Sequence, residues 1–242
     1  DEAIPKDLHP FLGLDETGRL KVRRNLDVVE ACAGVARIAR WGELAGLNVA
    51  AIDREYSPSM DMLKLEGQAL SILLLLRVKP GGLFFNAAQC SSWIWISRSQ
   101  TGRSSTNVMG NPQKHPHVLE GNLLNQHSAL LCRIAAYIRV HWCIEQPASS
   151  LFFRTVHMQE TIRLTSAHRA YFKMGSFGHD HPKPTVLYGT APWILVFPQV
   201  AAALSLEAPA AAASSSKGGK GSSSEGSRQP KQAMKPKQAM KS

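Results

Sequence analysis

The sequence predicts an α/β domain in which a mostly parallel sheet lies between two helical layers, a Rossmann-like three-layer αβα arrangement. One observation is the segment 28–53, where two short apolar runs flank a glycine turn and an amphipathic stretch of helical period. A second is that apolar runs of strand length continue to alternate with helical segments as far as Tyr188. Parallel strands need long crossover connections, so this alternation indicates a parallel sheet.

The first unit, residues 28–53, has the layout of a nucleotide-binding βαβ motif. A predicted strand over 28–30 leads through the small-residue turn to a helix over 35–45 and a second strand over 48–52. Small residues let the backbone approach a ligand, and an acid after the second strand can accept hydrogen bonds from ribose hydroxyls. The candidate cofactor-binding residues here are Glu30, Ala31, Cys32, Ala33, Gly34 and Asp53. Val35 and Ala36 replace the glycines of a dinucleotide fingerprint, which favours a ligand without phosphate. An ordinary crossover that binds no ligand is the alternative.

The rest of the domain continues the alternation. The predicted strands cover residues 60–65, 83–88, 142–145, 170–177 and 185–188, and the predicted helices cover residues 66–78, 119–140 and 155–164. The strand over 60–65 carries Asp61, a further candidate for cofactor binding. Lys79 and Pro80 with two glycines are expected to end the helix at residue 78.

Cys90 and Glu145 are candidate site residues, because each lies at the end of a predicted strand, where ligands gather in a parallel sheet. Cys90 precedes a long loop, residues 93–118, that is rich in Ser, Gly, Asn and Pro. Long loops at a site edge are commonly lids or binding loops. The alternatives are a buried small hydrophobic residue for Cys90 and a helix or strand-end cap for Glu145.

The 93–118 loop also carries cations and aromatic residues that suit nucleic acid. Arg98, Arg103 and Lys114 are candidate phosphate contacts. Trp93 and Trp95 alternate as strand residues do, so they either stack on bases or pack in the core.

The composition favours nucleic acid as a partner. The formal net charge is +10 over 242 residues, which suits a polyanion, although Lys-rich tails also serve solubility. The longest apolar run, residues 72–76, is too short to cross a bilayer, so no membrane association is predicted. The four cysteines form no C-x-x-C pair, which argues against a zinc site or a disulfide scaffold and for a reducing compartment. The localisation stays open at this point, with the nucleus favoured and an organelle as the alternative.

Three segments are expected along the chain. Residues 1–25 form an N-terminal arm with little regular structure, and residues 26–198 form the α/β domain. Residues 199–242 are rich in Ala, Ser, Gly and Lys, and such a composition cannot bury enough apolar surface to fold alone. The sequence therefore predicts a disordered basic tail.

The order and spacing of these residues resemble the catalytic half of the DNA cytosine-5 methyltransferases. In that family an Asp-Leu-Phe-Ala-Gly-type turn binds S-adenosylmethionine, and residues 30–34 stand in its place here, with Asp53 as the acid that closes the second strand. The cysteine of the family's Pro-Cys-Gln motif corresponds to Cys90, and the glutamate of its Glu-Asn-Val motif corresponds to Glu145. Lys183 stands where an Arg-rich motif is expected, which makes it a fourth candidate nucleic-acid contact.

The resemblance covers residues 26–190 and implies a methyltransferase domain that uses S-adenosylmethionine, with DNA favoured over RNA as substrate. It implies that a Cys90 thiolate adds to C6 of a cytosine while the Glu145 carboxylic acid protonates N3. A base inside a duplex would first be flipped out. No target-recognition segment of the usual size follows Tyr188, which leaves room for a partner chain that supplies recognition.

Two other functions remain open at this point. Gln89 replaces the proline before the cysteine, which favours a catalytically degenerate fold that binds nucleic acid or protein. The second function is that of a methyltransferase of the same fold that acts on another substrate and does not use Cys90.

Overall fold

The computed structural model describes residues 22–177 and 180–207, and a six-stranded sheet forms its centre. The strands are β1 (Leu26–Ala31), β2 (Val49–Ile52), β3 (Val78–Asn86), β4 (His141–Pro147), β5 (His168–Lys173) and β6 (Pro184–Gly189). Their order across the sheet is β2-β1-β3-β4-β6-β5. β1 pairs in parallel with β2 and β3, and β3 with β4, whereas β6 is antiparallel to β4 and β5. The predicted α/β class with a mostly parallel sheet is confirmed.

The strand order reverses between β1 and β3. From β1 the chain moves outward to β2, and from β2 it crosses back to place β3 on the opposite side of β1. A crevice forms outside the carboxyl ends of the strands at such a switch point, because the two connections leave in opposite directions. This crevice is where the fold is most suited to bind a ligand.

Helices cover both faces of the sheet. They are α1 (Arg37–Leu44), α2 (Leu65–Leu76), the single turn α3 (Arg98–Thr101), α4 (Pro116–Tyr137), α5 (Val156–Leu164) and α6 (Phe197–Glu207). Helices α2, α4 and α5 pack over one core, which contains Phe84 and Trp142. Helix α6 packs over a second core on the other face, which contains Cys143 and Phe172. Trp142 and Cys143 enter different cores because successive strand residues point to opposite faces.

Residues 60–65, predicted as a strand, do not join the sheet. A 3₁₀ turn, Pro58–Met60, is followed by a turn in which the Asp61 carboxylate accepts the Leu63 amide at 3.0 Å, and α2 begins soon after. This local side-chain bond favours a turn over an extended strand. Gly67 packs against this turn so closely that a Cβ would overlap the Asp61 carbonyl. The prediction of a strand here is wrong, and Asp61 reaches the site from a turn.

Residues 79–82, predicted as the turn that ends the preceding helix, belong to β3 instead. Gly81 has a φ of +78°, and a Cβ on Gly82 would lie 2.6 Å from the Asp27 carbonyl oxygen. The register between β1 and β3 shifts at this point. The glycines therefore allow an irregular strand to lie close to its neighbour, so the strand starts five residues earlier than predicted.

The segment ends differ in part from the prediction. The guanidinium of Arg24 donates to the carbonyls of Val78 (2.7 Å) and Ile138 (2.9 Å), so the last residues of the expected arm are fixed to the domain. Helix α6 continues to Glu207 and buries Ala201, beyond the boundary expected at residue 198. Residues 1–21 of the expected arm and residues 208–242 of the expected tail lie outside the described residues. In the described part of the chain, no helix is both long enough and apolar enough to cross a bilayer.

Candidate functional site

A cavity of about 290 Å³ lies at the switch point, outside the carboxyl ends of β1, β2 and β3. The start of α4 closes its far side. Its lining includes Cys32, Asp53, Asp61, Ser92, His117 and Glu120. This volume is at the lower end of the range of small-molecule sites.

Of the five candidate residues over 30–34, which span the end of β1 and the turn after it, one lines the cavity. Cys32 lines the cavity, whereas Glu30, Ala31, Ala33 and Gly34 do not. Burial, together with a smaller effect of the Asp53 charge, raises the pKa of the Cys32 thiol to about 12, which makes this thiol a poor nucleophile.

Glu30 is directed at helix α1 and not at the cavity. Its carboxylate accepts the Ala39 amide at 2.8 Å, and the Ile38 amide is a second donor. These amides belong to the first turn of α1, which has no side-chain cap from Ala36. Glu30 therefore caps this helix from β1, and the prediction that it contacts a cofactor is not supported by its position.

The path of the turn is strained. Cys32 and Ala36 have φ values of +52° and +53°, and Gly34 between them has +51°. Residues with a Cβ seldom adopt this region, and each costs about 1–3 kcal/mol unless its surroundings hold it. Tyr56 supplies such support, since its hydroxyl donates to the Gly34 carbonyl at 2.6 Å.

Asp53, at the end of β2, is hydrogen-bonded to the turn after β1. One carboxylate oxygen accepts the Gly34 amide and the other accepts the Glu55 amide, both at 2.9 Å. The side chain also lines the cavity. A carboxylate has about four acceptor positions, so both oxygens can still accept hydrogen bonds from a ligand.

The cavity is rich in carboxylates. Asp53, Glu55, Asp61 and Glu120 line it, and Arg54 is the one permanent cation among its described lining residues. Such a surface attracts ammonium and sulfonium groups and hydroxyl donors, and it repels phosphates. The cavity therefore selects against a dinucleotide, in agreement with the interpretation of the glycine-poor turn.

Cys90, Glu145 and Lys183 lie together near the carboxyl ends of β3 and β4. The Lys183 ammonium donates to the Glu145 carboxylate at 3.1 Å. Burial raises the pKa of the half-buried Cys90 thiol, the Lys183 charge lowers it and the Glu145 charge raises it. The fold thus brings the two candidate catalytic residues into one electrostatic cluster. In this state it does not activate the thiol, because burial has the largest effect.

One buried side chain and one backbone hydrogen bond fix the turn that carries Cys90. The Gln146 amide donates to the Ala88 carbonyl at 2.6 Å and accepts the Ser150 hydroxyl at 2.9 Å. On the other side of Cys90, the Trp93 amide donates to the Cys90 carbonyl at 2.9 Å. The residue next to Glu145 in sequence therefore positions the loop on which Cys90 lies.

Arg103 is buried, so it cannot contact phosphate in this arrangement. It is 2 % exposed, and its guanidinium lies over the ring of Trp93 with a carbon-to-centroid distance of 3.4 Å. The guanidinium donates to the carbonyls of Val108 (2.7 Å) and Val118 (3.2 Å) and to the hydroxyl of Ser92 (3.2 Å). Its role is to hold the long loop together. Burial also lowers its pKa to about 10, so it stays charged at neutral pH.

The other candidate nucleic-acid contacts differ in whether their side chains are exposed and without a protein partner in the described residues. Arg98 is half-buried and donates to the Ser149 carbonyl at 3.0 Å, whereas Lys114 is exposed. Trp93 is fully buried and Trp95 is 65 % exposed, so the first is a core residue and the second is free to stack. Trp93 lies in a turn and Trp95 lies in a 3₁₀ segment, so the alternation of strand residues does not apply to them.

Several site residues were missed from the sequence. His117 and Glu120 enter the cavity from the first turns of α4, and Gln146 supports the Cys90 loop. The polar positions at the start of α4 offered a weak signal, since they precede its apolar face. No local pattern could have shown that this helix end meets the turn after β2.

Comparison with models of known protein families and with curated protein sequences finds no match to this chain. The assignment of a function therefore depends on the residues at the carboxyl edge of the sheet.

Proposed function

We propose that this chain is an S-adenosylmethionine-dependent methyltransferase that acts on a base in nucleic acid. The observation that carries the proposal is the carboxylate-rich cavity at the switch point, whose lining includes Gln89 and Ser91 on either side of Cys90. The charges of Glu145 and Lys183 act in turn on the Cys90 thiol. The donors and acceptors suit the cofactor: its ammonium, sulfonium and ribose hydroxyl groups complement carboxylates, and it has no phosphate.

Asp53 would accept the ribose hydroxyls, because it lies at the end of β2 with acceptor positions free. Asp61 and Glu120, which also line the cavity, would face the cationic groups. The cofactor supplies an electrophilic methyl group on a sulfonium. All other steps belong to side chains of the chain itself.

Cys90 is the proposed nucleophile. Its thiolate would add to C6 of a cytosine, and the Glu145 carboxylic acid would give a proton to N3, which leaves C5 electron-rich. After methyl transfer, N3 would return its proton to Glu145, and loss of the C5 proton with expulsion of the thiolate would restore the aromatic ring. Lys183 supports this role because its charge lowers the pKa of the Cys90 thiol.

The cofactor site can be tested without catalysis by calorimetric titration of the purified chain with S-adenosylmethionine. We expect saturable binding to the wild type and an affinity about 10- to 150-fold lower for Asp53→Ala, from the loss of hydrogen bonds to a charged group. Glu43→Ala removes an exposed acid on α1 that does not line the cavity, and it should bind as the wild type does. NAD should give no heat. Equal binding by both variants, or tighter binding of NAD, would contradict the proposal.

A second candidate is a degenerate methyltransferase fold that binds nucleic acid without turnover. The raised pKa of the Cys90 thiol favours it, since a catalytic thiol is normally more acidic than a free one. Replacement of Cys90 by Ser separates the cases in a methyl-transfer assay. Loss of turnover with normal cofactor binding supports the nucleophile, and unchanged turnover indicates another acceptor. A wild type that binds cofactor but transfers no methyl group supports the degenerate form.

A further inference from the structure

Strand β5, at the edge of the sheet farthest from the cavity, exposes a basic stripe with an aromatic residue at its centre. Arg169, Tyr171 and Lys173 have exposed side chains, whereas Ala170 and Phe172 between them are buried. Alternate strand residues share a face, so the three exposed side chains form one row about 13 Å long. We name Arg169, Tyr171 and Lys173 the β5 stripe.

A cavity of about 370 Å³ lies at the Arg169 end of the stripe. Its lining includes Arg154, Arg169, Gln159, Tyr188, Phe153 and Pro147, and no carboxylate. The rings of Phe153 and Tyr188 are in contact, with centroids 4.4 Å apart and planes tilted by 43°, and both line the cavity. The cavity is therefore an open, electropositive depression with an aromatic wall.

The cations of this surface are free to bind a ligand. Within residues 22–177 and 180–207, Arg154, Arg169 and Lys173 form no ion pair, whereas Arg133 on the adjacent helix is paired with Glu160 at 2.7 Å. Guanidinium groups match phosphate geometry with two parallel donors. These three cations and the exposed tyrosine therefore suit a polyanion whose charged groups alternate with flat aromatic rings.

We propose that the β5 stripe and its adjoining cavity bind single-stranded nucleic acid, with phosphates on Arg154, Arg169 and Lys173 and a base stacked on Tyr171. A single strand suits the surface because its bases are free to stack on an aromatic ring, whereas those of a duplex are covered by their neighbours. The proposal accounts for Tyr171, which is 45 % exposed in the middle of the stripe.

The stripe is connected to the candidate catalytic cluster through the end of β4. Ala148 lines the cavity, and its amide donates to the Pro184 carbonyl beside Lys183 at 2.9 Å. Glu145 projects from the opposite face of the sheet, so a bound strand would pass over the carboxyl end of β4 to reach Cys90. The inference deepens the proposed function by assigning a strand-binding surface, and it rests on that function only for the fate of the bound strand.

Charged residues on an edge strand have another established role, which is to prevent pairing with other sheets. That role requires charge alone and predicts no binding of nucleic acid at these positions. Measurement of affinity as a function of salt separates the two explanations, because each phosphate contact releases counterions.

The test uses the full chain and fluorescence anisotropy with a labelled 20-nucleotide DNA strand, the RNA strand of the same sequence and the DNA duplex, all without cofactor. For Arg154→Gln/Arg169→Gln we expect the slope of log affinity against log salt to fall by about 1.4 with single strands, at about 0.7 per contact. The control, Arg37→Gln/Arg40→Gln, makes the same charge change at two exposed arginines of α1, neither of which lines the cavity, and should keep the wild-type slope.

For Tyr171→Leu we expect single-strand affinity to fall about fivefold to 150-fold without a change of slope, since the variant loses stacking and not charge. The duplex should bind more weakly than either single strand, and the strand with the lower Kd identifies the sugar that is preferred. An unchanged slope in the double variant, an equal fall in its control, or preference for the duplex would overturn the proposal. Thermal unfolding midpoints verify that the variants are folded. Because binding needs no cofactor, failure of the methyltransferase proposal would leave this result unaffected, and the reverse also holds.

Discussion

Replacement of Gln146 by leucine should destabilise the domain by about 2–3 kcal/mol and free the Cys90 loop. Gln146 is fully buried, and its amide is the donor to the Ala88 carbonyl, in a residue that is 3 % exposed. Leucine fills similar space but leaves that carbonyl without a partner, which costs about 1–3 kcal/mol. The hydroxyl of Ser150 also loses its acceptor, at a smaller cost because Ser150 is half-buried and can reach water.

The assay is urea unfolding followed by tryptophan fluorescence, with the m-value compared between variants. Gln126→Leu is the matched control, because Gln126 is exposed on α4, and a surface change of this kind is usually within about 0.5 kcal/mol. The reaction of Cys90 with a thiol reagent should also become faster, since the loop before it is no longer held. A loss of stability below about 0.5 kcal/mol with an unchanged m-value would refute the reasoning, because removal of the Gln146 donor would then not leave the Ala88 carbonyl unsatisfied.

Three further predictions concern the site and its supports. Lys183→Met should shift the pH profile of Cys90 alkylation by iodoacetamide to higher pH, because the lysine charge lowers the pKa of this thiol; a shift to lower pH would contradict the assignment. For Glu30, burial raises the pKa of the carboxyl above its usual 4.5, so its contribution to stability is present below that value and is lost as pH rises through the folded-state pKa. The thermal midpoint of wild type should therefore fall relative to Glu30→Gln between pH 4 and pH 8, and a difference that does not change with pH would show that Glu30 has no such effect. Gly67→Ala should displace the turn that carries Asp61 and weaken binding of S-adenosylmethionine in the calorimeter, and wild-type affinity would show that the turn tolerates the added methyl group.

The residues that end predicted strands show what local pattern could establish. Asp53 follows an apolar run and does lie at the carboxyl end of β2, where it lines the cavity. Cys90 and Glu145 were placed near strand ends for the same reason, and the fold brings them into one cluster with Lys183. Such predictions succeed because parallel strands deliver their carboxyl ends to one edge of the sheet, whatever their order.

Local sequence pattern does not predict in which direction a side chain at that edge points. Glu30 lies near the end of β1, as expected, but its carboxylate caps α1, because the unpaired amides at the start of that helix are within hydrogen-bond distance. Arg103 lies in a polar loop that reads as exposed, yet the loop folds back so that its guanidinium covers Trp93. Both outcomes depend on contacts that the spacing of residues along the sequence does not predict.

The amino-acid sequence by itself determined the α/β class, the succession of most helices and strands, and the acid at the end of β2, because apolar periodicity is a local property of the chain. The tertiary structure alone decided that β6 enters the sheet antiparallel between β4 and β5, that Glu120 meets Asp53 across one cavity, and that the β5 stripe lies at an open edge. Periodicity fixes which face of an element is buried, but the neighbour against which it is buried depends on long-range packing.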